Sequence, residues 1–173
     1  TAGKDPAAYR IALLKDVRTK KVVETAAQMA DFAKKRDGRG LGIAFGRLGL
    51  PNLGESLAAT VAEISVDRAT GVIRVHTLWC AADVGLPLQP ANIRAQIEGS
   101  LIWGISSALK ERITIKDGLV QQTNFSDYEV LRMSETPEIK IEILRSGEIP
   151  LPVGELALST AIPAVANAFR ALT

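Results

Sequence analysis

Two β-branched runs restrict the fold more than any other feature: "LAATVAEISVD" at 57–67 and "GVIRVHTLWCA" at 71–81, joined through the turn "DRATG". Val, Ile and Thr lose rotamer freedom in a helix and suit a pleated surface. Gly71 in the turn takes positive φ without steric cost. The two runs are therefore expected to form an antiparallel hairpin. What flanks that hairpin decides the fold class.

Helical patterns lie on both sides. "KDPAAYRIALLKD" offers Asp5 as N-cap and Pro6 at the first helical position, with Tyr9, Leu13 and Leu14 on one side. Thr19 to Lys34 repeats Val22, Val23, Ala26, Met29, Ala30 and Ala33 at helical spacing, and "DGRG" closes it. Beyond the hairpin, Asn92 to Lys110 carries Ile93, Ile97, Leu101, Ile105 and Leu109 at the same period. Gly99 and Gly104 interrupt it. Glycine inside a helix costs about 1 kcal/mol relative to Ala, so this pair implies that something packs very close to the backbone.

The remaining segments are strand-like apart from the end. "RITIKDGLVQQTN" is a second hairpin around Asp117-Gly118, and "EIKIEIL" alternates as a strand with one wet face. In "GLGIAFG", Gly40, Gly42 and Gly46 miss the Gly-x-Gly-x-x-Gly spacing of a dinucleotide loop and read as a strand with close backbone neighbours. A last helix is expected to begin near Ala161, with Pro163 in its first turn. The pattern is α+β, antiparallel hairpins packed with helices, in a single domain or segment over 1–173, without repeats.

Composition narrows the chemistry. With 47% hydrophobic and 23% charged residues and a net charge of +2, the chain can bury a core and has no basic surface suited to nucleic acid. A single cysteine, Cys80, and a single histidine, His76, exclude an internal disulfide, a Cys-rich zinc site, a cluster bound by this chain alone and a His-rich metal site. No apolar run approaches the roughly 20 residues of a membrane-spanning helix. The chain opens with Thr1, as a processed piece, a split subunit or a segment of a longer polypeptide would. His76 is expected to be an exposed or hydrogen-bonded strand residue, and Trp79 and Cys80 to serve packing.

One carboxylate stands out. In "IPLPVGELALSTAIPAVANAF", Glu155 is the only charge between Glu148 and Arg170. A buried carboxylate without a partner is costly, so such a Glu is either looped out to water or held inside for its chemistry. Taken from the residues alone, the solvated loop is the better reading.

Three stretches in order, "AADVGLPLQPANIRAQIEGS", "VQQTNFSDYEVLRMSETPEIKIEIL" and "PVGELALSTAIPAVANAF", resemble the C-terminal part of molybdenum hydroxylase large subunits. These form the xanthine dehydrogenase and aldehyde oxidase family. The branch typified by the isoquinoline 1-oxidoreductase beta subunit is the nearest in pattern, through Asn124, Phe125, Asp127, Tyr128, Leu131, Arg132, Met133, Pro137, Glu138 and Ile139. The resemblance covers almost the whole chain and about the last quarter of a complete large subunit. It implies part of a molybdopterin-binding domain, and an activity that hydroxylates an aldehyde or an N-heterocycle with water as the oxygen source.

The family's Val-Gly-Glu motif falls on Gly154 and Glu155, which makes Glu155 the implied general base and Gly154 the residue that leaves room for cofactor and substrate. Apolar surroundings would raise the carboxyl pKa toward the working pH. Gln96 matches the glutamine whose amide meets the pterin. No metal ligand is implied in this chain. The implied cofactor is a molybdenum-pterin in its cytosine dinucleotide form, shared with the remainder of the large subunit. The implied partners are an iron–sulfur subunit carrying 2Fe-2S clusters, a cytochrome or other electron acceptor, and a small-molecule substrate. The compartment is open between cytoplasm and periplasm, with membrane association through a partner as a further option. Two departures are visible: Gln89-Pro90 replaces the family's Asn-Pro, and Ser159 and Thr160 stand where relatives often carry prolines. Asp127, Tyr128 and Arg132 are read as ties between a loop and the body. The alternatives are a structural or assembly subunit that closes over a partner's cofactor site and, with less support, a metal-free acid/base enzyme using Glu155.

Overall fold

A computed structural model describes residues 3–147 and 149–173; Thr1, Ala2 and Glu148 lie outside the described residues. The elements run α1 (Pro6–Leu13), α2 (Val17–Met29), β1 (Gly40–Leu50), β2 (Gly54–Val66), β3 (Ile73–Asp83), α3 (Pro90–Leu109), β4 (Ile115–Lys116), β5 (Leu119–Val120), β6 (Glu138–Leu144) and α4 (Leu158–Leu172). The fold is α+β, as the pattern predicts.

β2 and β3 form the expected hairpin, with Leu57 opposite Asp83 and Val66 opposite Ile73. β1 runs further than its apolar core, to Leu50, because it forms a hairpin of its own with β2. Asn52 and Gly54 take positive φ in that turn. The sheet order is β1-β2-β3-β6, and β6 joins β3 in parallel. A parallel neighbour requires a crossover, which α3 and the segment after it provide. The second hairpin is shorter than its sequence suggests. Only Ile115–Lys116 and Leu119–Val120 pair, around Asp117 and Gly118, both at positive φ as a tight primed turn requires.

Helices cover both faces of the sheet. Ala58, Ala62, Leu78, Cys80 and Ala82 pack toward α3 and α4, whereas Ala59, Val61, Trp79 and Ala81 pack toward α1 and α2. Burial on both sides explains why β2 and β3 are nearly continuous apolar runs. Asp5 and Asp16 cap α1 and α2 through Ala8 N and Thr19 N, each at 2.7 Å. α2 ends at Met29, ahead of "DGRG", because Asp31 turns to positive φ and Arg36 Nη2 donates to the Ala30 carbonyl at 2.6 Å.

The glycines of β1 and α3 separate into those a neighbour requires and one that none does. A Cβ on Gly42 would stand 2.1 Å from Ala168 N and 2.2 Å from Ala164 O, and one on Gly40 would stand 2.3 Å from Ala168 O. α4 thus lies directly on the strand backbone. Gly104 meets Ala161 and Leu158 in the same way, whereas Gly99 faces open space.

The last helix departs from expectation. It begins at Leu158 rather than near Ala161, so Pro163 lies inside it. Side chains hold the earlier start: Ser159 Oγ donates to Leu156 O at 3.1 Å and Thr160 Oγ1 to Ala157 O at 2.8 Å. The Thr160 hydroxyl also meets that of Thr60 at 2.6 Å in the core, and Gly46 leaves the room that Ser159 occupies. Among the described residues, no helix is long and apolar enough to cross a membrane.

Candidate functional site

The four strands of the main sheet bring their ends to one place: Leu50, Gly54, Asp83 and Leu144 close their ladders there. The chain leading to Glu155 crosses that end and is tied down step by step. Ser146 N donates to Gly85 O at 3.2 Å, Leu86 N to Ile149 O at 3.0 Å, and Leu151 N to Val84 O at 3.0 Å. The Ser56 hydroxyl donates to Pro152 O. Gly85 takes positive φ, and a Cβ there would stand 2.2 Å from Ile149 O, so the crossing needs glycine at this point.

An ion pair between a buried carboxylate and a partly exposed guanidinium fastens the same corner. Asp83 is 2% exposed and receives Arg18 Nη2 at 2.9 Å, Arg18 Nε at 3.0 Å, Gly85 N at 3.1 Å and the Ser146 hydroxyl. Burial alone would push the Asp83 carboxyl up. The hydrogen bonds from Arg18, Ser146 and Gly85 outweigh it, and the carboxyl lies below its ordinary value. Arg18 also donates to Glu55 O at 3.3 Å. The clamp therefore joins α2, the start of β2, the end of β3 and the segment that carries the candidate site. The sequence reading missed it, because Arg18 and Asp83 lie 65 positions apart.

From Pro152 the chain makes a turn. Leu156 N donates to Val153 O at 3.1 Å and Leu158 N to Glu155 O at 3.2 Å. Leu156 and Ala157 are driven into the core, which leaves Gly154 and Glu155 facing out. The Glu155 side chain makes no hydrogen bond or ion pair among the described residues. A Cβ on Gly154 would meet nothing within 4 Å, so this chain itself makes no demand for glycine there.

Gln96 lies on the outer face of α3, exposed and without a side-chain hydrogen bond among the described residues. Asn92, Gly99 and the 54% exposed Trp103 share that face. α3 and α4 touch at Gly104, close to Leu158 and Ala161. Gln96 is about 12 Å along the helix from that contact, at 1.5 Å per residue, and Glu155 precedes Leu158 by one turn. The two residues share a layer of the molecule and do not touch. The clefts of about 480 Å³, between Val75, Ile105 and Leu131, and of about 630 Å³, beside β1, are lined by neither.

The other chemistry-bearing residues serve structure. His76 Nε2 and Ser65 Oγ are 2.7 Å apart, at the irregular register between Glu63 and Ile64. Cys80 is fully buried, and burial pushes its thiol up to about 12. Tyr128 Oη donates to Glu111 at 3.0 Å, and Asp127 accepts from Asn124 N at 3.2 Å, so these residues tie their loop down. The Arg132 backbone N–H donates to Glu135 at 2.9 Å, which is a local cap. No group of three or more His, Cys, Asp or Glu side chains that could hold a metal gathers among the described residues.

Comparison with known proteins places this architecture. Residues 15–137 match the profile of the molybdopterin cofactor-binding domain. The beta subunit of isoquinoline 1-oxidoreductase from Brevundimonas diminuta is 37% identical over 170 residues, covering 98% of this chain and 22% of that protein. A nicotinate dehydrogenase polypeptide from Pseudomonas putida is 33% identical over 96% of this chain and 15% of its own length. Among solved structures, quinoline 2-oxidoreductase from Pseudomonas putida 86 superposes with a TM-score of 0.65 at 25% identity, over 68% of this chain and 16% of that one. The chain belongs to the molybdopterin cofactor-binding domain family, within the xanthine dehydrogenase and aldehyde oxidase group of molybdenum hydroxylases. It spans 22% and 15% of the length of the two curated relatives.

Proposed function

We propose that this chain forms one wall of a molybdenum-pterin site in a multi-subunit oxidoreductase, with Glu155 as its general base. One observation carries the reading. In a member of this family, Gly154 and Glu155 face outward from a turn pinned on both sides, with the carboxylate unpaired among the described residues and the space at the glycine empty. Nothing described within the chain uses either feature, and a cofactor with substrate above the turn would use both.

The residues fit such a group. Gln96 offers an amide donor and acceptor to a heterocycle edge, and the described residues of its own chain leave both free. When bound, the molybdenum-pterin supplies the electron sink for a two-electron oxidation that uses water as the oxygen source. Glu155 accepts, at its carboxylate oxygen, the proton released as the new C–O bond forms. The Ser56–Pro152 and Val84–Leu151 hydrogen bonds hold the turn in place while it does so. The walls that exclude water come from the remainder of the large subunit, because Glu155 is exposed in this chain.

The substrate class is an N-heterocycle, favoured by the relatives named for isoquinoline, nicotinate and quinoline; an aldehyde is the second choice, after the aldehyde oxidoreductase subunit of Escherichia coli. The cofactor takes the cytosine dinucleotide form, and electrons leave through 2Fe-2S clusters on an iron–sulfur partner to a cytochrome or other acceptor. Residues 1–173 act as a single segment of the site.

Glu155→Gln in the assembled enzyme tests the base. It keeps shape and hydrogen bonding but cannot take the proton, so single-turnover reduction of the metal by substrate should fall about 10²- to 10⁴-fold at unchanged molybdenum content. A rate within a few-fold of the parent makes Glu155 a loop carboxylate.

A further inference from the structure

β1 and β6 are the two edges of the sheet, and they are built differently. β6 presents Glu138, Lys140 and Glu142 along its exposed side, the usual protection of an edge against unwanted pairing. β1 has no charge from Gly40 to Gly46. Its outer edge forms the floor of the 630 Å³ cleft, at Leu41, Gly42 and Ile43, between α1 on one side and α4 on the other. The cleft offers the place of a missing strand.

The hydrogen bonds agree. Asn167 Nδ2 donates to Ile43 O at 2.9 Å, so that carbonyl faces away from β2. In an antiparallel ladder the N–H and C=O of one residue point the same way, which turns those of Leu41, Ile43 and Phe45 outward. One side-chain amide stands in for a whole strand of donors. The rim of the cleft is basic: Lys4 and Arg10 stand on one wall and Arg170 on the other. Arg39, which precedes the strand, buries its Nη1 with no hydrogen-bond partner among the described residues, though it does not line the cleft.

We infer that an extended, acidic segment from the remainder of the large subunit adds to β1 as a fifth strand and covers this cleft. Main-chain pairing to Leu41, Ile43 and Phe45 supplies affinity, and carboxylates facing Lys4, Arg10 and Arg170 supply direction. A second copy fits poorly. Two β1 edges would bring like charges together, and β1 against the acidic β6 edge of another copy would make a head-to-tail contact that need not close. The relatives provide a source within one polypeptide, since this chain spans 22% of the isoquinoline enzyme's beta subunit. The inference rests on this chain being part of such a subunit, and it is independent of any role for Glu155.

The test uses the complete large subunit in its complex, with or without cofactor. Amide hydrogen exchange at Leu41, Ile43 and Phe45 should be slowed by about a hundredfold or more relative to an unprotected amide. A zero-length carbodiimide should couple Lys4 to an Asp or Glu outside these 173 residues. Arg10→Glu with Arg170→Glu should restore fast exchange and remove the crosslink, while Lys140→Glu on the opposite edge should leave both unchanged. Fast exchange at the three amides in the intact complex overturns the inference, and so does a crosslink from Lys4 into a second copy of this chain.

Discussion

Replacing Asp83 by Ala withdraws the one acceptor that Arg18, Gly85 N–H and Ser146 share. Breaking a buried ion pair by removing one partner costs about 3–5 kcal/mol when the other stays buried. Arg18 is 38% exposed and can turn to water, so its share is discounted toward surface values. The buried Gly85 N–H cannot escape, and leaving it unpaired costs about 1–3 kcal/mol. Together these give about 3 kcal/mol, or roughly 6–12 °C in Tm for a chain of this size. Urea unfolding of parent and variant, followed by the fluorescence of the buried Trp79, reads the difference.

The pH dependence has a definite sign. The folded carboxyl lies below its ordinary value, so its contribution is complete above the unfolded pKa of about 3.9 and is lost as pH falls through the lower folded value. The gap between parent and Asp83→Ala should therefore close in acid. Arg18→Met combined with Asp83→Leu should recover much of the loss, because a packed apolar pair needs no desolvation of charge. A gap under about 0.5 kcal/mol at neutral pH, within the range of an ordinary surface change, would refute the clamp. So would a gap that persists undiminished in strong acid, below the folded value.

Gln96→Ala should weaken cofactor retention by about 1–3 kcal/mol, read as molybdenum per protein after dialysis; an unchanged content removes Gln96 from the site. Gly42→Ala forces a methyl into the α4 backbone and should cost about 3 kcal/mol or more, whereas Gly154→Ala should change the stability of this chain by less than about 0.5 kcal/mol and lower turnover in the assembled enzyme. Denaturant melts and steady-state rates separate the two glycines. Cys80 should resist iodoacetamide at mildly alkaline pH until the chain unfolds, since its thiol is buried and pushed up to about 12. Mass spectrometry of the labelled protein checks this.

Local signals carried most of the fold. Asp5 with Pro6, the β-branched runs at 57–81 and Asp117-Gly118 each act within a few residues, and each produced its element. Non-local pairing was illegible. Nothing within "EIKIEIL" says that its neighbour is β3 or that the pairing is parallel, and nothing within "TNFSDYEV" marks how far the loop before it travels. The start of α4 was misplaced because Pro163 is a strong local marker, whereas the boundary is set by the hydroxyls of Ser159 and Thr160, which bond three residues back, and by the room at Gly46 and the Thr60 hydroxyl, which the sheet supplies. At the candidate site, the roles proposed for Gly154, Glu155 and Gln96 come from the motif, whereas the Arg18–Asp83 clamp joins residues 65 positions apart and left no trace in spacing.

The contact between β1 and α4 constrains how chain length can vary in this part of the molecule. Gly42 is in backbone contact with Ala164 and Ala168, and Gly46 with the side chains of Ser159 and Thr160. Sliding the helix by a single residue, about 1.5 Å, would bring backbone atoms and methyl groups into those notches. An insertion or deletion between Ser159 and Ala168 therefore cannot be absorbed by a shift of the helix. The same change in the exposed turn from Asp67 to Gly71 has solvent to expand into. Length differences among relatives are expected to collect in such exposed turns, with the interval from the Glu155 turn to Ala168 kept constant like the pitch of a screw thread.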